Sequence, residues 1–210
     1  MKRIRYKSGF TLIELLVALV ITGIIVSAVA TLAFAMNSAG LATDDMGRKQ
    51  AQVRFATARI SDLIRQCRLV CYASADEIAV WRADDKFNDG KINIGELVYI
   101  EAGTAHDYLR LCEFDPSSST EISLGSIGPL STNWWSAYSS TIDYTLLMPE
   151  CSNVMFYLDD TGSPPKSRLV SITCDVVENG APRQYQMSAM LRGWAGNLLD
   201  AAGNIVSDDD

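Results

Sequence analysis

The sequence predicts an α+β fold in which one long N-terminal helix is followed by a domain of short antiparallel strands. Three observations predict it. Residues 10–36 form an apolar run broken by a single charge, Glu14. From Val53 onward apolar residues recur at steps of three and four, and beyond residue 70 the period falls to two. The strand-like segments follow one another through short polar connections instead of alternating with helices, which favours an antiparallel sheet over βαβ units.

The first element is the apolar run FTLIELLVALVITGIIVSAVATLAFAM. At ~1.5 Å per residue its 27 residues reach ~40 Å, enough to cross a hydrocarbon core of ~30 Å. Lys2, Arg3, Arg5 and Lys7 precede it, and Asp44 and Asp45 follow. The positive-inside tendency predicts that residues 1–9 stay cytoplasmic and that the remainder is exported, in a single-pass topology. An ordinary secretory signal has a shorter apolar core followed by a small-residue cleavage site; here the run is long and the glycine, Gly9, comes before it.

Residues 37–69 continue the helix in amphipathic form. Asn37, Ser38 and Gly40 end the apolar run, but the Ala-rich flanks let the helix proceed. Val53, Ala56, Ile60, Leu63 and Cys67 then mark one face, with Arg54, Arg59, Asp62 and Arg65 between them. A helix from residue 10 to about residue 67 would be ~85 Å long, far more than a globular domain needs.

Residues 70–210 read as the exported β domain. EIAVWR (77–82), ELVYIE (96–101) and DYLRLCEF (107–114) alternate or are continuously apolar, as do VMFYL (154–158) and YQMSAML (185–191). In RLVSITCDVV (168–177), Val170, Ile172, Cys174 and Val176 share one face, with Ser171, Thr173 and Asp175 on the other. ENGAPR (178–183) is a turn signal. Residues 116–140 hold Trp134 and Trp135 among Ser and Gly without a steady period, so they read as a long surface excursion. Its tryptophans either serve binding or cover a small satellite core.

The segment KSGFTLIELLVALVITG, residues 7–23, resembles the type IV prepilin signature: a basic leader ending in Gly, then Phe, with Glu at the fifth position of the mature chain. Gly9, Phe10 and Glu14 fit that pattern. The resemblance to type IV pilins and type II secretion pseudopilins implies cleavage by a prepilin peptidase between Gly9 and Phe10, then N-methylation of Phe10. It implies that Glu14 pairs with the Phe10 amine of a neighbouring subunit, the first half of the helix packing in a filament and the second half against a sheet. A carboxylate within a spanning helix costs ~2.5–3.5 kcal/mol on insertion scales, less near the end, so a partner that recovers the cost is expected. Read without the resemblance, Glu14 is an acid at a helix start, favoured by the macrodipole.

The function implied is that of a structural subunit, a minor pilin or pseudopilin, that performs no chemistry. Its partners would be the prepilin peptidase and N-methyltransferase, other pilin or pseudopilin subunits, an inner-membrane assembly platform driven by a cytoplasmic ATPase, and membrane lipid. The alternative is a membrane-anchored exported binding module that uses the prepilin leader only for export.

Composition excludes several other classes. The four basic residues of the leader leave the rest of a chain of formal charge −7 standing at −11. An acidic body cannot neutralise phosphates, so no nucleic acid is expected as a partner. GxSxG, HExxH, P-loop and GxGxxG motifs are missing, and the SxxK of Ser163–Lys166 contains two prolines that forbid the helical turn it needs. His106, the single histidine, sits in a polar stretch and is expected at the surface. The cysteines, Cys67, Cys71, Cys112, Cys151 and Cys174, lack zinc-ligand spacing. If an exported chain bridges any of them, Cys112, Cys151 or Cys174 is expected to take part; otherwise they are small buried residues.

No cofactor is required, but one metal is suggested. DKFNDGKINIGE (85–96) places Asp85, Asp89, Gly90 and Glu96 at the first, fifth, sixth and twelfth positions of a calcium-loop template, with Lys91 contributing its carbonyl. Phe87 stands where the third ligand belongs. The competing reading is a polar hairpin with an Asp-Gly turn and no metal.

Overall fold

The computed structural model describes residues 11–82, 90–138, 141–178 and 180–200. It is an α+β chain: helix α1 (Leu12–Gln66) precedes eight strands in two antiparallel sheets. The residues up to Gly47 and those from Arg48 onward form two compact units.

From Leu12 to Met36 the helix is apolar all round apart from Glu14, and the described residues between Thr11 and Leu41 are exposed, Phe34 by 76%. Its hydroxyls turn back on the helix: Thr22 donates to the Ala18 carbonyl at 2.7 Å, Thr31 to Ser27 at 2.9 Å and Ser38 to Ala35 at 3.0 Å. Those bonds spare an apolar surrounding the cost of unsatisfied hydroxyls. The helix is long and apolar enough to cross a membrane, and it continues through Asn37, Ser38 and Gly40.

In the second unit α1 becomes one-sided. Val53, Ala56, Ile60, Leu63, Ile64 and Cys67 are buried, as the three- and four-residue spacing predicts. Strands β1 (Leu69–Ala73), β2 (Glu77–Trp81), β3 (Leu97–Ala102), β4 (Leu109–Phe114) and β5 (Ile142–Met148) form a five-stranded meander in sequence order. Strands β6 (Ser152–Leu158), β7 (Leu169–Glu178) and β8 (Ala181–Met190) form a second sheet. The helix face and the inner faces of both sheets make one core, in which Ile60, Ile78, Ile100, Leu111, Ile172 and Met187 take part. Lys49 adds a polar tie, its Nζ donating to the Val177 carbonyl at 3.0 Å.

The outer face of the five-stranded sheet holds a second core. The excursion after Pro116 folds back over it through short 3-10 turns, bringing Ile122, Ile127, Leu130, Trp134 and Trp135 against Trp81, Tyr99 and Phe114. The rings of Trp134 and Trp135 lie 6.0 and 6.3 Å from Phe114. The two tryptophans therefore cover a satellite core. With both faces covered, every residue of β2 is buried, which explains why EIAVW lacks alternation.

Two strands differ from expectation. The helix ends at Gln66 and β1 begins at Leu69, inside the stretch read as helix. β5 has no counterpart among the predicted strands, because Tyr144 and Leu146 face solvent while its buried residues are Leu147 and Met148. The ENGAPR turn is also tighter than expected, since the β7–β8 ladder runs on to Glu178↔Ala181. Gly180 supplies a positive φ of 77° for that turn. Pro182 is tolerated inside β8 because β8 is an edge strand.

Candidate functional site

Gly9 and Phe10 lie outside the described residues. Glu14 is in the first turn of α1 and exposed. Its backbone amide points to Thr11, 3.1 Å from the carbonyl and 3.4 Å from the side-chain Oγ1. Thr11 is thus placed to cap the helix start, and Glu14, three residues on, sits where the macrodipole favours an acid. Glu14 thus combines a helix-start setting with an exposed side chain. From Leu12 to Met36, Glu14 is the only charged residue among large exposed apolar side chains.

The proposed metal residues do not all fall in view. Asp85 and Asp89 lie outside the described residues. Lys91 forms an exposed ion pair with Glu121 at 2.7 Å. Glu96 is 4% exposed and turned into the second core, where its Oε2 accepts from the Trp81 indole at 3.0 Å and from the Asn93 amide at 3.3 Å. That carboxylate joins the β2–β3 connection to the most buried tryptophan. Among the described residues no three His, Cys, Asp or Glu side chains group as a metal site would require.

His106 is not the freely exposed residue its polar context suggests. It is half-buried at a φ of 54°, with Nδ1 3.0 Å from the Val154 carbonyl and Nε2 3.3 Å from an Asp76 oxygen. It thereby links the β3–β4 turn to the second sheet.

All five cysteines are free thiols; four are buried and Cys151 is half-buried. Burial pushes the Cys174 thiol up to about 11, with Asp175 adding to it, and Cys151 up to about 12, with Cys174 and Asp107 adding to it. Burial also raises Cys67, Cys71 and Cys112. Thiols so held carry almost no thiolate at neutral pH and are poor nucleophiles. The Ser163–Lys166 segment is a 3-10 turn containing both prolines.

Residues that the sequence did not single out come together on the open part of the five-stranded sheet's outer face. Glu77 of β2, Glu101 of β3 and Arg110 of β4 stand side by side in consecutive register pairs. No local pattern marks them, because their proximity exists only once three strands are paired.

A family model described as the prokaryotic N-terminal methylation motif matches residues 4–30. No curated protein and no solved structure matches the chain significantly. The match covers Gly9, Phe10, Glu14 and most of the apolar helix, and it marks a structural, non-enzymatic class whose members are processed by a prepilin peptidase and assemble with other pilins. Together with an apolar N-terminal helix suited to membrane anchoring and an antiparallel β domain behind it, this motif supports a type IV pilin-like, prepilin-type protein.

Proposed function

We propose that the chain is a minor pilin or pseudopilin, a subunit of a type IV pilus or type II secretion-like filament. Prepilin peptidase cuts between Gly9 and Phe10, Phe10 is N-methylated, and the mature subunit is held in the inner membrane by residues 10–36 until an assembly platform draws it into the filament. Glu14 pairs with the Phe10 amine of a neighbouring subunit, and the β domain is carried outside the membrane.

The observation that supports this reading is the exposed apolar surface of residues 12–36 with one carboxylate near its start. A surface of that kind is stable only in lipid or against other apolar helices. Within a helical bundle the lone carboxylate needs a counter-charge, since removing one partner from a buried ion pair costs ~3–5 kcal/mol. The pair therefore sets axial register as well as affinity.

The test is made in cells that carry the chain with its filament machinery. Mass spectrometry of the mature protein should find methylated Phe10 at the N-terminus. Glu14→Ala should be cleaved normally and accumulate in the membrane while failing to enter sheared or cross-linked polymer. Wild-type incorporation of Glu14→Ala, or a mature chain beginning elsewhere, would overturn the proposal.

A further inference from the structure

On the outer face of the five-stranded sheet, beside the satellite core, lies a cleft of about 510 Å³, within the ~300–1,000 Å³ range of small-molecule sites. Its floor is the row Glu77, Glu101 and Arg110, and Tyr72, Tyr108 and Tyr144 stand around it. One rim is the excursion at Pro129–Ser131. The cleft draws on all five strands.

The polar groups in it are held in place. Arg110 Nε donates to Glu101 Oε2 at 2.8 Å. The guanidinium carbon lies 4.2 Å from the centre of the Tyr144 ring and 5.2 Å from that of Tyr108. A guanidinium stacked on two rings and tied at Nε has little freedom left. Its terminal amino groups, like Glu101 Oε1 and the Tyr72, Tyr108 and Tyr144 hydroxyls, make no hydrogen bond to the described residues. Glu77, 5% exposed, accepts only the Leu130 amide among them. The cleft therefore offers fixed donors beside fixed acceptors, with Tyr144 half exposed at 53%.

We propose that this cleft binds a neutral saccharide, whose adjacent hydroxyls bridge Arg110 and Glu101 while a sugar ring lies against the tyrosines. Charge selects the class. An anion drawn to Arg110 would meet Asp76, Glu77 and Glu101 as well, whereas a cation drawn to the carboxylates would meet a guanidinium already paired with one of them. A vicinal diol accepts from the guanidinium and donates to the free carboxylate oxygen at once, satisfying both signs without adding charge. The C–H faces of a sugar ring match the apolar face that a half-exposed tyrosine presents. The proposal does not rest on the filament reading, because every residue of the cleft belongs to the second unit.

The experiment uses the full chain in lauryldimethylamine oxide micelles, whose headgroup is not a sugar. The chain is screened on an array of neutral hexose and N-acetylhexosamine oligosaccharides, and the strongest hit is measured by saturation-transfer NMR and calorimetry. At least one neutral oligosaccharide should bind, with saturation transfer to its ring C–H protons. Tyr144→Leu, which keeps an apolar side chain on an exposed strand position, and Arg110→Lys should each weaken binding roughly tenfold or more, a loss of ~1.4 kcal/mol, with melting temperatures near that of the unaltered chain. Should one variant not fold, the other still decides. Binding of charged glycans alone, no binding to the array, or affinity unchanged in a folded variant would overturn the proposal.

Discussion

Replacing Glu77 by Gln should stabilise the β domain, and only as pH rises toward and beyond neutrality. Glu77 is 5% exposed, and its two oxygens share one backbone donor, the Leu130 amide at 3.0 and 3.3 Å. Burial, with Glu101 and Asp76 adding like charge, lifts its carboxyl from 4.5 to about 7 against the lowering effect of the Leu130 bond. Each pK unit is worth ~1.4 kcal/mol, so ionising Glu77 in the folded domain costs about 3 kcal/mol more than ionising it in the unfolded chain. Below the unfolded pKa both states hold the proton and the cost is absent. Between 4.5 and about 7 the unfolded chain ionises first and stability falls with rising pH; above the folded value the loss is complete. Gln keeps a carbonyl for Leu130 and cannot ionise. At ~2–4 °C per kcal/mol for a domain of this size, Glu77→Gln should raise Tm by roughly 5–10 °C near pH ~8.5 and change it little near pH ~4.5. Thermal unfolding of the purified chain in detergent, followed by near-UV circular dichroism, measures this. Equal shifts at both pH values, or a larger gain at the acidic one, would refute burial of the charge as the cause.

Three further outcomes rest on packing and on buried hydrogen bonds. Ile60, 1% exposed in the core shared by helix and sheets, should cost ~2–5 kcal/mol when cut to Ala, whereas Phe34→Ala, at a position 76% exposed, should leave the β domain's urea midpoint unchanged. Glu96→Gln should lower stability by ~1–3 kcal/mol through the weakened bonds to Trp81 and Asn93, by the same amount with and without millimolar calcium; a loss seen only with calcium would assign the carboxylate to a metal.

The parts of this protein that the sequence made legible are those written in short-range periods. The apolar run, the helical spacing from Val53 to Cys67 and the alternation of β7 each arise from the geometry of one element against one apolar surrounding. Where an element meets two surroundings the period loses its meaning. β2 is buried on both faces, and β5 turns Tyr144 and Leu146 to solvent, so neither shows the simple inward and outward alternation of a half-covered strand. At residues 67–69 the helical pattern runs straight into β1 without a turn signal, and the boundary falls where the chain must leave the helix to pair with β2.

The calcium-loop template illustrates the same limit from the side of chemistry. Spacing gave Glu96 the place of a metal ligand, but the fold turns it toward Trp81, fifteen residues away in the chain and one hydrogen bond away in space. His106 is a second case, bound to a carbonyl that belongs to the other sheet.

From sequence alone came the prepilin motif, the membrane-length helix, its amphipathic second half and the antiparallel character of the strands behind it, because each depends on residues within a few positions of one another. Only the tertiary structure divided the strands into sheets of five and three, laid the excursion over the outer face as a second core, and gathered Glu77, Glu101, Arg110 and Tyr144 around one cleft. Those outcomes depend on which strands pair and in what register, and pairing is decided by the burial of both faces of a sheet together, a quantity no single segment carries.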